Sequence, residues 1–393
     1  MTRLRKPPTV EFFAKLVLGL GILFVLLRLV FASEVSGHQH YETFMKAARL
    51  LWSGSDPYEV DLGFGSDYWF YSPFCGLFFF GLFAFLPPKL GVFLYMGLSL
   101  KVLYSGVVRF SRNYAVQFRL VHSLLLVSFL AGAVSWMKLE VFIVGVLLSA
   151  FARLMQEEKR GWILSGALLA LITQWKFQTL PVLGLLGLAG GWDRPRFKAF
   201  WGTFFSVLLL LFLIPSGILG WDENLAIHSH WVYSLSRSVE NRWIGMENIY
   251  HVIHSIRPSF WDTISYKPIF LGAALLLALA VLFNRGRRDE TAAQAWFRAL
   301  AWGSWFTVVF GPLHQNNANI LIFPFLLYLG QGVLLWFCFL IFGFSNQMEF
   351  IQKVAVSGRL IPLKPLVSSI LFAFQTRPMS WRRSGPPHRK SRS

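Results

Sequence analysis

The amino-acid sequence predicts an all-α, polytopic membrane protein built as a bundle of about ten transmembrane helices, and three observations lead there. The chain of 393 residues is 55% hydrophobic and only 14% charged, where soluble domains run near a quarter charged. Its apolar residues are gathered into runs close to the length a helix needs to cross a bilayer. Its 37 basic and 19 acidic residues, a net charge of +18, sit mainly between those runs. Such a basic excess in a soluble protein would suggest nucleic acid, but no soluble module is present to carry a basic face. Cytoplasmic loops of membrane proteins collect Lys and Arg and account for it. The runs lack the alternation of barrel strands, and a backbone crossing hydrocarbon must satisfy its own hydrogen bonds, so the spans are helices. Cys75 and Cys338 lie far apart in apolar runs and offer neither a disulfide framework nor a metal-ligand spacing.

In chain order, the first run covers residues 12–32, with Lys15 and Arg28 near its ends. It is longer than the apolar region of a secretory signal and is read as a retained span. Further runs follow at 90–108, 120–136, 139–153, 161–176, 178–191, 198–218, 266–284, 295–311 and 317–343. The last is long enough for one tilted span or two half-spans. Counting these, Arg3, Arg5 and Lys6 share one side with Arg109, Arg112 and Arg119, with Arg153, Lys159 and Arg160, with Arg194, Arg196 and Lys198, and with Arg285, Arg287, Arg288 and Arg298. That side is the cytoplasm, and both ends of the sequence fall on it, giving a multi-pass protein integral to the cell membrane. The scheme requires residues 73–86 not to cross. At about 14 residues this stretch is too short for a span and reads as an interfacial or re-entrant segment. Residues 1–344 then form the transmembrane domain. Residues 345–393, with Arg377, Arg382, Arg383, Arg389, Lys390 and Arg392, are expected to be a basic cytoplasmic tail lying against anionic membrane lipids.

Two outer segments, 33–72 and 219–265, are long, and they hold most of the histidines: His38, His40, His228, His230, His251 and His254, with His314 in a later outer turn. Tyr41, Phe44, Ala48, Leu51 and Trp52 recur at helical spacing before Gly54 and an Asp56-Pro57 turn, which predicts an interfacial amphipathic helix. The aromatic run Tyr68 to Tyr71 leads from there into the re-entrant segment. Neither His228-Ser-His230 nor His251 with His254 is a specific metal spacing, so no metal is expected. No phosphate-binding glycine loop, dinucleotide fingerprint or nucleophile triad is present, and no cofactor is expected.

At four places the chain resembles the C-type glycosyltransferases, and among them the mannosyltransferase-like glycosyltransferase family 87. His40, Phe44, Ala47, Ala48 and Gly54-Ser55-Asp56-Pro57-Tyr58 are similar to a family pattern that carries Asp at the His40 position. Tyr71-Ser72-Pro73, with Leu86-Pro87 at the end of the apolar stretch, resembles a Y-x-P element. Lys176-Phe177-Gln178, with Pro181, resembles a lysine-proline element at the outer end of a span. Asn248 and His314 match an Asn in the second outer segment and a late His motif. The chain departs from the family at His40 and at Met137-Lys138-Leu139-Glu140, where a Gly-Gln-x-Asn element is expected.

The resemblance implies a C-type bundle with its active face outside. It implies transfer of a sugar, mannose-like or pentose, from a polyprenyl-phosphate donor to a lipid or glycan acceptor of the envelope, with inversion. It places His40 as the base on the acceptor hydroxyl, with Glu42 two residues away, and Asn248, His314 and Tyr71 against the substrates. Lys176, ionisable at a membrane boundary, either snorkels or holds the donor phosphate. Arg242, with Arg237, is a further phosphate contact, and Lys138 is expected to pair with Glu140. Two other readings stand beside this one: a transporter or flippase of an envelope lipid, and a silent relative that binds the lipid-linked sugar without transferring it. The polar inventory in two outer segments, rather than at mid-membrane, favours the enzyme over the transporter.

Overall fold

The computed structural model describes residues 10–31, 39–60, 62, 71–116, 118–135, 137–156, 158–242, 249–250, 266–285, 290–311, 320–329, 353–356, 359–362, 369 and 372. It is a helical bundle. The helices are α1 (Val10–Phe31), α2 (Gln39–Trp52), a π-helical turn (Cys75–Phe80) running into α3 (Gly81–Ala84), α4 (Pro88–Asn113), α5 (Leu120–Ser135), α6 (Glu140–Leu154) and α7 (Lys159–Trp175). A 3-10 turn (Phe177–Thr179) opens α8 (Leu180–Leu188), and then come α9 (Arg194–Leu213), α10 (Ser216–Leu219), α11 (Trp221–Arg242), α12 (Tyr266–Asn284), α13 (Ala292–Phe310) and α14 (Phe323–Leu329). Nine of the ten apolar runs read from the sequence coincide with one of these helices; of the run 317–343 only residues 320–329 are among those described, and they hold α14. Among the described residues, four segments are long and apolar enough to cross a membrane: Val10–Val30, Pro88–Asn113, Arg194–Leu219 and Lys267–Asn284.

Local chemistry sets the helix starts. Pro88 occupies the first turn of α4, where its missing N–H costs nothing. The Asp193 carboxylate accepts from Arg196 N at 2.7 Å to cap α9, and Thr291 with Gln294 forms a capping box on α13. α6 and α13 are apolar on nearly every side and are buried almost throughout, as such helices must be. α4 packs on α6 through a bare contact: a Cβ at Gly145 would lie 2.5 Å from Leu103 N, so no larger residue fits there. By contrast only 22, 17 and 11% of the span residues of α1, α9 and α12 are buried, against 56% in α4. Their exposed apolar sides, including Val30, Phe205, Leu276 and Phe283, form a surface suited to lipid rather than water.

Contacts mark the two ends of the bundle. An ion pair joins Arg112 in the last turn of α4 to Glu11 in the first turn of α1, so those two ends lie together. At the same end in the charge scheme, Trp192 beside α9 packs against Trp296 of α13, 5.2 Å between rings. At the other end Tyr250 Oη donates to Phe310 O at 3.0 Å and Thr307 Oγ1 to Gln178 O at 2.9 Å. The stretch 73–86 holds, as expected, a short element, which ends at Ala84 ahead of Pro87.

Two expectations change. The apolar face of α2 is covered by protein rather than by lipid: Tyr41, Phe44, Ala47, Ala48 and Leu51 are buried against the π-helical turn and α3, and Phe44 meets Phe80 at 4.7 Å. The stretch expected to be a basic tail contains an antiparallel hairpin, β1 (Lys353–Val356) with β2 (Arg359–Pro362). Beyond it Phe372 stacks on Trp305 of α13, 3.9 Å between rings. Residues 366–374 are mostly apolar, and the indoles of Trp302 and Trp305 offer their aromatic ring a dry partner that charge counting overlooks.

Candidate functional site

Three of the four motif places meet at one end of the bundle, around Glu140, Lys176 and Tyr71. Lys176 follows the last residue of α7 in extended backbone and forms an ion pair with Glu140, in the first turn of α6. The ammonium also lies over the Tyr71 ring, 5.4 Å from its centre. Glu140 is 1% exposed and the Lys176 side chain 17%, so water does little to screen this pair. The expected partner of Glu140 was Lys138. That residue, also buried, acts electrostatically on the same carboxylate, and Lys176 adds a direct ion pair. The reason is directional, since Lys176 leaves the end of α7 toward the start of α6.

Ser72 ties the segment 73–86 to α7. Its hydroxyl donates to Gln174 Oε1 at 2.5 Å and accepts from Cys75 N at 3.2 Å, which caps the helical turn that follows. Three polar atoms of this neighbourhood are buried without a hydrogen-bond partner: Glu140 Oε2, Gln174 Nε2 and Trp175 Nε1. Buried polar groups are nearly always paired, so these three atoms have hydrogen-bonding capacity left for a water or a ligand. The turn carrying Lys138 is strained as well. Met137 has φ of 51°, the left-handed region that glycine occupies freely and other residues enter at about 1–3 kcal/mol. Met137 stands where the resembled element has Gly, and its carbonyl is held by Tyr95 Oη at 3.1 Å.

An apolar groove opens at the turn that follows Lys176 in the chain. Phe177, Gln178 and Pro181 at the start of α8, Leu277 and Phe270 of α12, and Phe306 and Thr307 of α13 line a cavity of about 520 Å³. Its polar groups gather at the Lys176 end, where Gln178 Oε1 is also without a partner.

The other expected residues are placed less centrally. His40 belongs to the first turn of α2, one turn before Phe44, and its side chain is outside the described residues, as is that of Arg242 at the end of α11. Asn248 and His314 lie outside the described residues. Glu42 is exposed on α2, away from the face that meets Tyr71 through Phe44. The pair His228-Ser-His230 is split by the helix: His228 is buried with Nδ1 on Asn224 O at 2.8 Å, while His230 is 40% exposed and reaches Asp56 Oδ2 at 2.5 Å. Burial lowers the His228 pKa from its usual value. The hydrogen bond to Asp56 raises that of His230, aided by the charges of Asp56, Glu59 and Glu223. Sequence reasoning missed the Asp56–His230 contact, since no local pattern links residues that far apart.

No protein-family model matches the chain, and no curated protein or solved structure is similar to it.

Proposed function

We propose that this chain is a membrane glycosyltransferase that takes a sugar from a polyprenyl-phosphate carrier and passes it, with inversion, to an envelope lipid or glycan. In this reading about ten helices span the cell membrane, both sequence ends are cytoplasmic and the Lys176 cluster faces outward. The observation that carries it is a buried cluster of two lysines and one carboxylate whose Lys176 is followed in the chain by Phe177 and Gln178, which line an apolar groove. Among the residues these contacts bring together, two ammonium groups, Lys138 and Lys176, act on one carboxylate, Glu140. A polyprenyl-phosphate sugar is a phosphodiester with one negative charge and a long apolar tail, so its charge suits the cluster and its tail suits the groove. In the transfer, a base takes the acceptor hydroxyl proton while the oxygen attacks the anomeric carbon, and the carbon–phosphate oxygen bond breaks with its electron pair leaving on the phosphate. The leaving phosphate gains a negative charge, which the lysines stabilise. The resemblance makes His40 the base.

The test is carrier binding and sugar transfer by the full chain in lipid nanodiscs. Lys176→Gln is expected to weaken carrier binding by about 1.5–3 kcal/mol, the range of a charge-assisted contact. His40→Ala is expected to abolish transfer and leave carrier binding intact, with Glu42→Gln lowering transfer less. Unchanged carrier affinity in Lys176→Gln would return that lysine to a snorkelling role. One observation favours a second reading: Glu140 already holds Lys176, as suits a relative that binds the carrier without transferring its sugar. Carrier binding by the parent without transfer selects that reading.

A further inference from the structure

The two long polar segments, one after α1 and one after α10, touch through side chains at a place distinct from the Lys176 cluster. His230 of α11 points at the turn that follows α2: its Nδ1 is 2.5 Å from Asp56 Oδ2 and 3.5 Å from Glu59 Oε1. One donor atom from each of these three side chains lies within 4.8 Å of the other two. Donors bound to one ion at about 2.0–2.2 Å stand roughly 4 Å apart or less, so small side-chain adjustments bring all three onto a common centre. Glu59 can supply that movement, being 66% exposed.

Charge and support point the same way. Among the described residues no lysine or arginine pairs with Asp56 or Glu59, and Glu223 adds a third carboxylate acting on the same imidazole. Three carboxylates against at most one imidazolium leave a surplus of two negative charges. Asp56 is only 12% exposed, and its other oxygen accepts the Tyr58 N–H at 2.8 Å, which fixes the carboxylate with Oδ2 turned to His230. Outer hydrogen bonds of this kind orient the ligands of metal sites.

We propose that Asp56, Glu59 and His230 form a binding site for a divalent first-row cation, Zn²⁺ or Mn²⁺, that fastens α11 to the turn after α2. One imidazole with two carboxylates suits these ions better than Mg²⁺ or Ca²⁺, which prefer oxygen alone. The cation takes the place of the proton between Nδ1 and Oδ2, and that proton passes to solvent. Its hold extends toward the Lys176 cluster, because Tyr58, whose N–H orients Asp56, also donates through Oη to Tyr71 O at 2.5 Å. The site does not depend on the transferase reading.

Full-length protein in detergent, stripped with chelator, is titrated with Zn²⁺, Mn²⁺, Mg²⁺ and Ca²⁺ by calorimetry, with metal content and thermal unfolding measured alongside. The expected result is one Zn²⁺ or Mn²⁺ per chain, proton release on binding and a higher Tm. His230→Ala should lose the ion. Glu59→Gln, an exposed position whose loss leaves the fold intact, should weaken it roughly 10- to 100-fold. Absence of stoichiometric binding in the parent, or parental affinity in Glu59→Gln and His230→Ala, overturns the site, and equal affinity for Ca²⁺ or Mg²⁺ overturns the choice of ion. Because these readouts are of metal and not of sugar transfer, a negative result leaves the transferase reading to its own test.

Discussion

Two ion pairs hold distant parts of this chain together at the same end of the bundle, and they differ in their access to water. Glu140–Lys176 is buried, with the carboxylate 1% exposed, whereas Asp56–His230 has an imidazole 40% exposed. A buried charge has no solvent to turn to when its partner goes, while an exposed one is rehydrated at once. The first pair therefore responds strongly to loss of either partner, and the second only weakly.

The sharpest way to break this contrast is to neutralise the buried carboxylate. Glu140→Gln leaves Lys176 and Lys138 without their shared counter-charge and is expected to cost about 3–5 kcal/mol, read as a fall in Tm in detergent. A loss as small as that of a surface pair would mean that water reaches the cluster. Tyr95→Phe should have a smaller effect, about 1–3 kcal/mol, because it leaves the buried carbonyl of the strained Met137 unpaired. Unaltered stability there would show that the turn holds itself. In chelator-treated protein His230→Ala should cost no more than about 1 kcal/mol. That small contribution has a pH signature. The folded His230 pKa is raised, mainly by the Asp56 hydrogen bond, so its stabilisation is fully present below the ordinary imidazole range and is lost as pH rises through the folded value. A difference between parent and His230→Ala that grows toward alkaline pH contradicts this assignment.

Much of the scaffold was legible because its cause is local. A run such as residues 266–284 is apolar along its whole length and can only be a helix in apolar surroundings, and the prolines at 73 and 87 bound a segment too short to cross. The site was legible in part: Lys176 at a span end and Tyr71-Ser72 were singled out, and the structure brings them together. What escaped depends on where helices aim. That Glu140 meets Lys176, and that His230 meets Asp56, follows from the packing of α6 with α7 and from the course of α11, which no local spacing records. The Phe372 contact was hidden for another reason. The cationic residues after Arg377 dominate any reading of that stretch by charge, although the ring that matters precedes them.

The stacking of Phe372 on Trp305 also bears on how the molecule can be handled. Cutting the chain after the hairpin would bare the indole faces of Trp302 and Trp305, and a bulky fusion placed just before residue 372 would pull on the same contact. A purification tag or reporter near that position is thus a perturbation of the bundle's interior. Intrinsic tryptophan emission, shifting as those two indoles change surroundings, would register it before any loss of helix content.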